Sequence, residues 1–428
     1  MFKSLVKNPK QMCICNAPFV SMYFRPDGKV SPCCFNHEFI YGKYPEQSIE
    51  EIWTGDQIKK FRQIMVNSDF SHGCETCEKH IKTDNMSTAG FQHYKMKPLK
   101  KYPAKLEFEL SYQCNLNCIM CFQHMKLKLN SEIYGDDFFL QIKKYLPHIS
   151  EASYFGGEPF VIDLYYKIWE EINKNNKKCI QVLQTNGTIW NKRIKSILTK
   201  GNFEISISLD AIDKDIYEQI RINANLETTI SNVNHFNDYM KLKQKPLFIT
   251  VCPMRNNAYN IPDIVLFTSK INADIYFHSF WSPISLSLIN HDKDQLSAII
   301  EYYKVFMNSN DNLSTQNKQE LMKLTGQIER FVESWNKRTE LMSLNKDYSY
   351  WFNKLIERFI SEGREKDIFK FKKLDPLFQE LLTTFPIVYG LQYIFSNVGA
   401  NVIAEISKYD NDDDILEFIK TKTLFATL

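Results

Sequence analysis

The chain has 428 residues, too many for a single compact core and enough for two or three domains. Its 53 Lys and Arg residues nearly balance its 50 Asp and Glu residues, which excludes a strongly basic nucleic-acid-binding protein. Charges interrupt the segment Met1–Lys7, so no secretory signal is predicted, and no run of about eighteen apolar residues predicts a membrane span. We therefore expect a cytoplasmic protein that binds neither membranes nor nucleic acid.

Cysteines are numerous in this chain, and they are clustered. There are eleven, and nine of them lie at or before Cys121. In a chain without an export signal, such clustering favours metal ligation over disulfide bonds. We therefore expect an oxygen-labile metal cofactor.

The first cysteine cluster lies in the first 80 residues and surrounds a predicted β-hairpin. Apolar runs flank the segment Arg25–Gly28, in which Pro-Asp-Gly favours a chain reversal. The hairpin would bring Cys15 and Cys33 to the same end. The cysteines of this cluster are Cys13, Cys15, Cys33, Cys34, Cys74 and Cys77.

Two short helices are predicted after the hairpin. Ser48 and Glu51 fit a capping box at the start of the first helix. The segment Asp56–Val66 repeats its apolar residues at helical spacing and so predicts the second helix. This helix leads to Gly73–Cys77, which we interpret as a C-x2-C loop.

The middle of the chain predicts an α/β fold. Residues 81–103 are rich in lysine, contain two prolines and predict a linker. From 104 to 285, strand-like runs alternate with helical patterns, which favours a parallel sheet with right-handed crossovers. The predicted strands are Leu106–Leu110, Ala152–Phe155, Val182–Gly187 with its closing turn, Ile205–Asp210, Phe248–Val251 and Ala273–His278. The predicted helices include Asp137–Tyr145, Leu164–Asn173 and Ile212–Ile220.

From about residue 290 the pattern becomes helical. Apolar residues recur at a spacing near 3.6, and Phe385–Val402, the most apolar stretch of this region, predicts core. The predicted helices are Leu296–Phe306, Lys318–Trp335, Tyr348–Ile360 and Asp412–Lys420. We find no functional motif in this region.

The most informative motif is Cys114, Cys118 and Cys121, spaced C-x3-C-x2-C directly after the first strand of the α/β region. Three thiolates at this spacing can hold three irons of a [4Fe–4S] cluster. A nearby fourth cysteine is missing, so the fourth iron would stay open to another ligand. The alternative for three cysteines alone is a zinc knuckle or a set of buried thiols.

The motifs that follow resemble the radical SAM superfamily, in which S-adenosylmethionine (SAM) chelates the open iron. Each motif by itself is weak, but they occur in the order that the family shows. The matching segments are Gly156–Pro159 after a strand, Val182–Gly187, Ile205–Asp210, Tyr217–Arg221 and Arg255–Asn257. The resemblance implies a partial (β/α)6 TIM-like barrel with its ligands at the carboxyl ends of the strands.

The resemblance also implies a role for individual residues in SAM binding. Gly156, Gly157 and Glu158 match the family's GGE motif, which holds the methionine amine. Ser208 and Asp210 match residues that contact the ribose, and Arg221 matches an arginine that meets the carboxylate. Asn186 and Asn256 lie in the matching strand-end turns. Where the family often has an aromatic residue against the adenine, this chain has Met120, whose polarizable sulfur can pack on a ring.

The N-terminal cluster resembles the SPASM/twitch domain, in its version with a single auxiliary iron–sulfur cluster. The resemblance implies Cys15, Cys33, Cys74 and Cys77 as ligands, with Cys13 and Cys34 as spare cysteines that could exchange roles with Cys15 and Cys33. In the family this module usually follows the barrel, whereas here it precedes it. A four-cysteine zinc site fits the spacing as well.

These resemblances imply an enzyme of three parts: an N-terminal α+β Fe–S module (1–97), the barrel (104–285) and a helical C-terminal region (286–428). A [4Fe–4S] cluster would cleave SAM reductively to a 5′-deoxyadenosyl radical that abstracts hydrogen from a substrate, which we expect to be a peptide or protein. A dehydrogenase or transferase acting on a small molecule is the alternative, and a non-catalytic electron-transfer protein is a third reading. The expected cofactors are SAM, its cluster and an auxiliary [4Fe–4S] cluster, and flavodoxin or ferredoxin would donate the electron.

Overall fold

A computed structural model describes residues 15–82, 90–99, 101–121, 133–278 and 286–342, together with residues 349, 353, 356–357 and 360–361. Cys13 and the segments predicted at Phe385–Val402 and Asp412–Lys420 lie outside these residues, as does most of Tyr348–Ile360. Within them, no helix is both long and apolar enough to cross a membrane.

The described residues form nine strands and twelve α-helices. The strands are β1 (Ser21–Phe24), β2 (Lys29–Ser31), β3 (Gly42–Lys43), β4 (Lys105–Phe108), β5 (Glu151–Tyr154), β6 (Ile180–Thr185), β7 (Phe203–Ser208), β8 (Phe248–Val251) and β9 (Asp274–Phe277). The helices are α1 (Ala17–Val20), α2 (Ile49–Thr54), α3 (Asp56–Val66), α4 (Glu75–Lys82), α5 (Asp136–Lys143), α6 (Asp163–Asn175), α7 (Lys192–Lys200), α8 (Lys214–Ile220), α9 (Leu226–Leu242), α10 (Ile261–Lys270), α11 (Lys293–Ser309) and α12 (Thr315–Met342).

The chain divides into two units. The first consists of Met1–Leu209 and Arg221–Ile249, and the second of Asp210–Ile220 and Thr250–Leu428. The boundary thus passes through β8. The domain boundaries expected from the sequence, near residues 97–104 and 285, fall elsewhere and remain predictions.

The predicted N-terminal hairpin is present in the first unit. β1 and β2 pair antiparallel, and the turn between them closes with a hydrogen bond from Gly28 N to Arg25 O at 3.0 Å. Gly28 has a φ of +81°, a value that glycine adopts without the strain that a side chain would cause. Ser48 and Glu51 form the predicted capping box at the start of α2.

The hairpin is also part of the main sheet, which the sequence did not predict. β1 pairs in parallel with β4, so that Met22 lies opposite Leu106 and Phe24 opposite Phe108. The rings of Phe24 and Phe108 stack with centroids 5.7 Å apart. The N-terminal module and the first strand of the α/β region therefore share one hydrogen-bonded ladder.

The rest of the sheet follows the predicted alternation of strands and helices. In the first unit the strand order is β3-β2-β1-β4-β5-β6-β7-β8, and β4 through β7 are parallel. In the second unit β9 follows β8, and His278 N donates to Val251 O at 2.8 Å. β4 to β9 alternate with helices, which confirms the α/β fold class and its six β/α repeats.

The two faces of the sheet in the first unit differ in chemistry. One face is aromatic: Phe108 packs edge-on against Phe138 of α5, and Tyr154 packs edge-on against Trp169 of α6. These four rings are fully buried, which anchors the helices on that face. Lys105, Glu107 and Ser153 are the buried polar residues of β4 and β5.

Part of the predicted linker at residues 81–103 is packed against the sheet. A short 3-10 helix spans Gly90–Tyr94, and Tyr94 is only 1% exposed. Its hydroxyl donates to Glu107 Oε2 at 2.7 Å, and Lys105 Nζ lies 2.7 Å from Glu151 Oε1. A lysine-rich sequence gave no sign of this burial, because Glu107, which accepts from Tyr94, lies beyond the predicted linker.

Candidate functional site

The three-cysteine segment follows β4 and lies against the glycine motif that follows β5. Gly157 N donates to Ser111 O at 3.0 Å, and Glu158 N donates to Gln113 O at 2.8 Å. A Cβ atom on Gly157 would lie 1.9 Å from Gln113 O, and one on Gly156 would lie 2.4 Å from Ser111 O. Only glycine allows the two backbones to approach this closely, so the motif positions the cysteine segment.

The cysteines of this segment lie in a tight, partly exposed turn. Leu116 N points at Cys114 Sγ at 3.4 Å, and Cys121 N donates to Cys118 O at 3.1 Å. Burial raises the pKa of the Cys114 thiol, and the nearby Glu158 and Cys121 raise it further. Met120, at the position expected to meet adenine, is half-buried in the same turn.

Arg221 lies beside this turn. Its Nη1 atom is 4.0 Å from Cys118 Sγ, and the side chain is buried. Asn117 N donates to Ile222 O at 3.0 Å, which joins the cysteine segment to the chain next to Arg221. A buried guanidinium beside three thiols favours negatively charged partners.

Glu158 is fully buried, and both its carboxylate oxygens accept hydrogen bonds. Oε2 accepts from Asn186 N at 2.7 Å, and Oε1 accepts from Thr185 Oγ1 at 2.8 Å and from Phe160 N at 3.1 Å. The carboxylate therefore ties the turn that follows β6 to the end of β5. The sequence predicted contact with an amine and not this role in holding the turn.

Asn186 extends the same network to the cysteine segment. Its Nδ2 atom donates to Asn115 Oδ1 at 2.9 Å and lies 3.8 Å from Cys114 Sγ. Thr188 completes the loop of contacts, since its hydroxyl donates to Asn186 Oδ1 at 2.7 Å and accepts from Asn115 Nδ2 at 2.8 Å. Asn115 and Thr188 were not predicted; their only signal in the sequence is that they adjoin predicted motifs.

The burial of Glu158 predicts a pH-dependent stability. Burial raises its pKa to about 7, although the N–H groups of Asn186 and Phe160 and the Arg221 charge oppose the shift. The pKa of Glu158 is higher in the folded than in the unfolded protein. Its contribution to the free energy of unfolding is therefore largest below about pH 4.5 and falls by roughly 3 kcal/mol as the pH rises towards 7. We expect this part of the pH dependence to vanish in Glu158→Gln.

Denaturant unfolding of the metal-free protein from pH 4.5 to 8 measures this effect. The quantity to compare is the difference in unfolding free energy between the natural chain and Glu158→Gln at each pH. A difference that stays constant over this range would show that Glu158 does not titrate there.

The remaining predicted residues are placed in both units. In the first unit, Ser208 ends β7 and its Oγ lies 3.5 Å from Gln184 Nε2. In the second unit, Asp210 is buried and its Oδ1 atom accepts from Cys252 N at 2.8 Å. Asn257 Nδ2 donates to Asp210 O at 2.8 Å, whereas the predicted Asn256 is exposed. Two adjacent asparagines give the sequence no means of choosing between them.

The N-terminal cysteines form a second site in the first unit. A small pocket is lined by Cys15, Cys33, Cys74 and Cys77, which are the four predicted ligands. Cys77 lies in the first turn of α4 and not in a loop as expected. Cys34 is directed elsewhere, with its Sγ 3.7 Å from Tyr94 Oη.

The cysteine pocket differs from a site that holds a single metal ion. In the described ranges, no group of three or more His, Cys, Asp or Glu side chains is arranged to hold a metal ion. The four N-terminal cysteines thus line one pocket without forming such a group. Its other lining includes apolar side chains such as Met65 and Phe70, which would shield a bound group from water.

Two parts of the chain match known protein families. Residues 108–258 match the radical SAM superfamily, and residues 13–78 match SPASM, an iron–sulfur cluster-binding domain. Each match contains one of the two cysteine sites described above.

Characterised relatives cover only part of the chain. A GTP 3',8-cyclase of Clostridium acetobutylicum is 27% identical over 176 residues, which are 40% of this chain and 54% of the relative. A cysteine-type anaerobic sulfatase-maturating enzyme of Clostridium novyi is 29% identical over 144 residues, 29% of this chain and 36% of the relative. The chain thus spans about half or less of the length of these two relatives.

Solved structures show a weaker similarity. Native anSMEcpe with bound AdoMet is 22% identical and has a TM-score of 0.36, covering 48% of this chain and 62% of that one. Streptococcus suis SuiB bound to the precursor peptide SuiA is 17% identical with a TM-score of 0.35, covering 60% of this chain and 65% of that one.

The residues present fit the cofactors that these domains imply. The radical SAM domain implies a [4Fe–4S] cluster and SAM. Cys114, Cys118 and Cys121 supply three thiols next to the buried Arg221 and to Gly156 and Gly157, the two glycines that we call the glycine cradle. The SPASM domain implies an auxiliary iron–sulfur cluster, and four cysteines line one pocket within it. The chain contains a radical SAM domain and, ahead of it, an iron–sulfur cluster-binding SPASM domain.

Proposed function

We propose that this protein is a radical SAM enzyme whose active site is built on Cys114, Cys118 and Cys121. The observation that carries this is the hydrogen bonding of the cysteine segment to Gly157 and Glu158, with Arg221 Nη1 4.0 Å from Cys118 Sγ. When bound, the cluster and SAM supply reductive cleavage to methionine and a 5′-deoxyadenosyl radical that abstracts a substrate hydrogen.

The side chains around the cysteines would bind and orient SAM. The guanidinium of Arg221 suits the SAM carboxylate, and the backbone of Gly156–Glu158 would meet the amine. Glu158 acts on that backbone by holding it to the turn that contains Asn186. Ser208, Asp210, Asn256 and Met120 remain proposed contacts to the ribose and adenine.

Arg221 gives a direct test of this binding mode. We expect Arg221→Ala to weaken SAM binding by about 1.5–3 kcal/mol, the usual value for a hydrogen bond to a charged group. Arg193 is a suitable control, because its guanidinium lies over the Tyr166 ring and pairs with Asp163 at the surface. Calorimetric titration of SAM into the reconstituted protein measures both; equal affinity in Arg221→Ala and the natural chain would remove Arg221 from the site.

The N-terminal pocket would hold the auxiliary cluster on Cys15, Cys33, Cys74 and Cys77. Its proposed role is to take up or deliver an electron, or to bind substrate. A direct link between this module and the radical SAM region supports such a role, because β1 of the module pairs with β4. Flavodoxin or ferredoxin is the proposed external electron donor.

We propose a peptide or protein substrate. Support comes from the sulfatase-maturating relative, whose name places a protein among its substrates. The cyclase relative favours the second candidate, a small-molecule substrate, since its name specifies GTP.

The activity is tested with anaerobically reconstituted protein, SAM and dithionite. We expect 5′-deoxyadenosine and methionine in equal amounts, and neither product without dithionite. Absence of both products from a protein loaded with iron would favour a non-catalytic electron-transfer role. Adding GTP, or peptides encoded near the gene, and looking for increased 5′-deoxyadenosine separates the two substrate classes.

A further inference from the structure

Asn36 is a buried amide located between two of the N-terminal cysteine segments. It is 1% exposed and lines the pocket shared by the four cysteines. Its backbone N donates to Cys33 O at 3.3 Å, and its side-chain Nδ2 lies 3.3 Å from Cys74 Sγ. One residue thus contacts the segments of two proposed ligands.

The orientation of this amide is fixed by its other partners. Oδ1 accepts from Glu38 N at 3.1 Å and from Phe39 N at 2.9 Å, and backbone N–H groups can only donate. Nδ2 donates to His72 O at 2.8 Å, and a carbonyl oxygen can only accept. The remaining N–H must therefore point towards Cys74 Sγ.

The cysteine segment is shaped to admit this contact. Gly73 directly precedes Cys74 and has a φ of +81°. A Cβ atom at Gly73 would lie 2.6 Å from Asn36 Oδ1, so a larger residue would push the amide away. The close approach of Asn36 to this segment depends on glycine at that position.

A hydrogen bond to a ligating sulfur changes the properties of an iron–sulfur cluster. Reduction adds negative charge, part of which resides on the sulfurs, and an N–H donor stabilises that charge. The pocket around Asn36 is lined by apolar groups such as Met65 and Phe70, where a hydrogen bond is stronger than in water. A donor held by three other bonds cannot turn away when the charge changes.

We infer that Asn36 is a positioning residue that raises the reduction potential of the auxiliary cluster through its N–H to Cys74, an inference that rests on the proposed ligand set. The same residue holds Cys74 in register with Cys33, through its side-chain amide on one side and its backbone N on the other. The electron affinity of the auxiliary site is then set by a residue that is not itself a ligand.

Two substitutions at Asn36 test this role in the full-length reconstituted protein. Asn36→Asp keeps an oxygen for the N–H groups of Glu38 and Phe39 but replaces the donor, and Asn36→Leu removes the amide at similar size. We expect each substitution to lower the reduction potential of the auxiliary cluster by at least about 59 mV, which is a tenfold change in the equilibrium constant for one-electron reduction. Redox titration followed by electron paramagnetic resonance measures it, and the Cys114/Cys118/Cys121→Ala protein identifies the auxiliary signal.

Asn173→Asp is the matched control. Asn173 is also buried, but its amide bonds to Gln181 and Ile197. This variant should keep the natural potential even if it lowers stability. Unchanged potentials in both Asn36 variants, with full iron content, would overturn this inference and leave the proposed ligand set intact. Loss of the auxiliary iron in both would also overturn it, by giving Asn36 a structural role only, whereas a natural chain without auxiliary iron would refute the proposed ligand set as well.

Discussion

Simultaneous replacement of Cys114, Cys118 and Cys121 by Ala is expected to abolish 5′-deoxyadenosine formation. The three thiols are the proposed ligands of the SAM-binding cluster, and no other residue in the C-x3-C-x2-C segment can replace a thiolate. Iron should fall from about eight to about four per chain, because the N-terminal pocket keeps its own four cysteines. Product analysis and iron determination after anaerobic reconstitution measure both effects.

Cys179→Ala is the control for this experiment. Cys179 is buried just before β6, and its sulfur lies 3.6 Å from Ile180 O, so its loss removes a thiol without removing a proposed ligand. This variant should retain about eight irons. If the triple variant still forms 5′-deoxyadenosine at the natural rate, the site is misassigned. Stoichiometric zinc in the N-terminal module would reduce that module to a structural knuckle and leave the radical SAM assignment intact.

Gly157→Ala is expected to have the second largest effect. The added Cβ would overlap Gln113 O at 1.9 Å, and this oxygen belongs to the backbone just before Cys114. Neither backbone can move without breaking the bonds from Gly157 N and Glu158 N to the cysteine segment. We expect loss of most of the iron at the core site and a drop in SAM cleavage of at least tenfold.

Gly135→Ala isolates the effect of crowding from that of losing a glycine. A Cβ at Gly135 would meet no atom within 4 Å, so this variant should keep natural iron content and activity. Natural activity in Gly157→Ala would show that the two segments can separate without cost, which would count against the glycine cradle.

Sequence patterns predicted the elements whose cause is local. β8 spans the predicted Phe248–Val251, α3 spans the predicted Asp56–Val66, and Ser48 with Glu51 forms the expected capping box. Each depends on residues within a few positions of one another, so spacing and residue type are enough.

What the sequence could not predict depends on residues far apart in the chain. The pairing of β1 with β4 joins residues more than 80 positions apart, and Tyr94, inside the predicted linker, lies against Cys34, which is 60 positions earlier. Glu158 was recognised as part of a motif, but its two occupied oxygens appear only once Asn186 is placed. Partner choice across such distances is a property of packing and not of local pattern.

The parallel pairing of β1 with β4 also protects the sheet. Without it, β4 would present unpaired N–H and C=O groups along a segment that includes Leu106 and Phe108, the kind of edge through which chains associate and aggregate. Among the described residues, the hairpin moves this edge to β3, the last strand in that direction, which has only two residues, Gly42 and Lys43. Very short edge strands and exposed lysines disfavour the addition of another chain. The N-terminal module therefore also serves as a cap that keeps the sheet from extending into a neighbouring molecule.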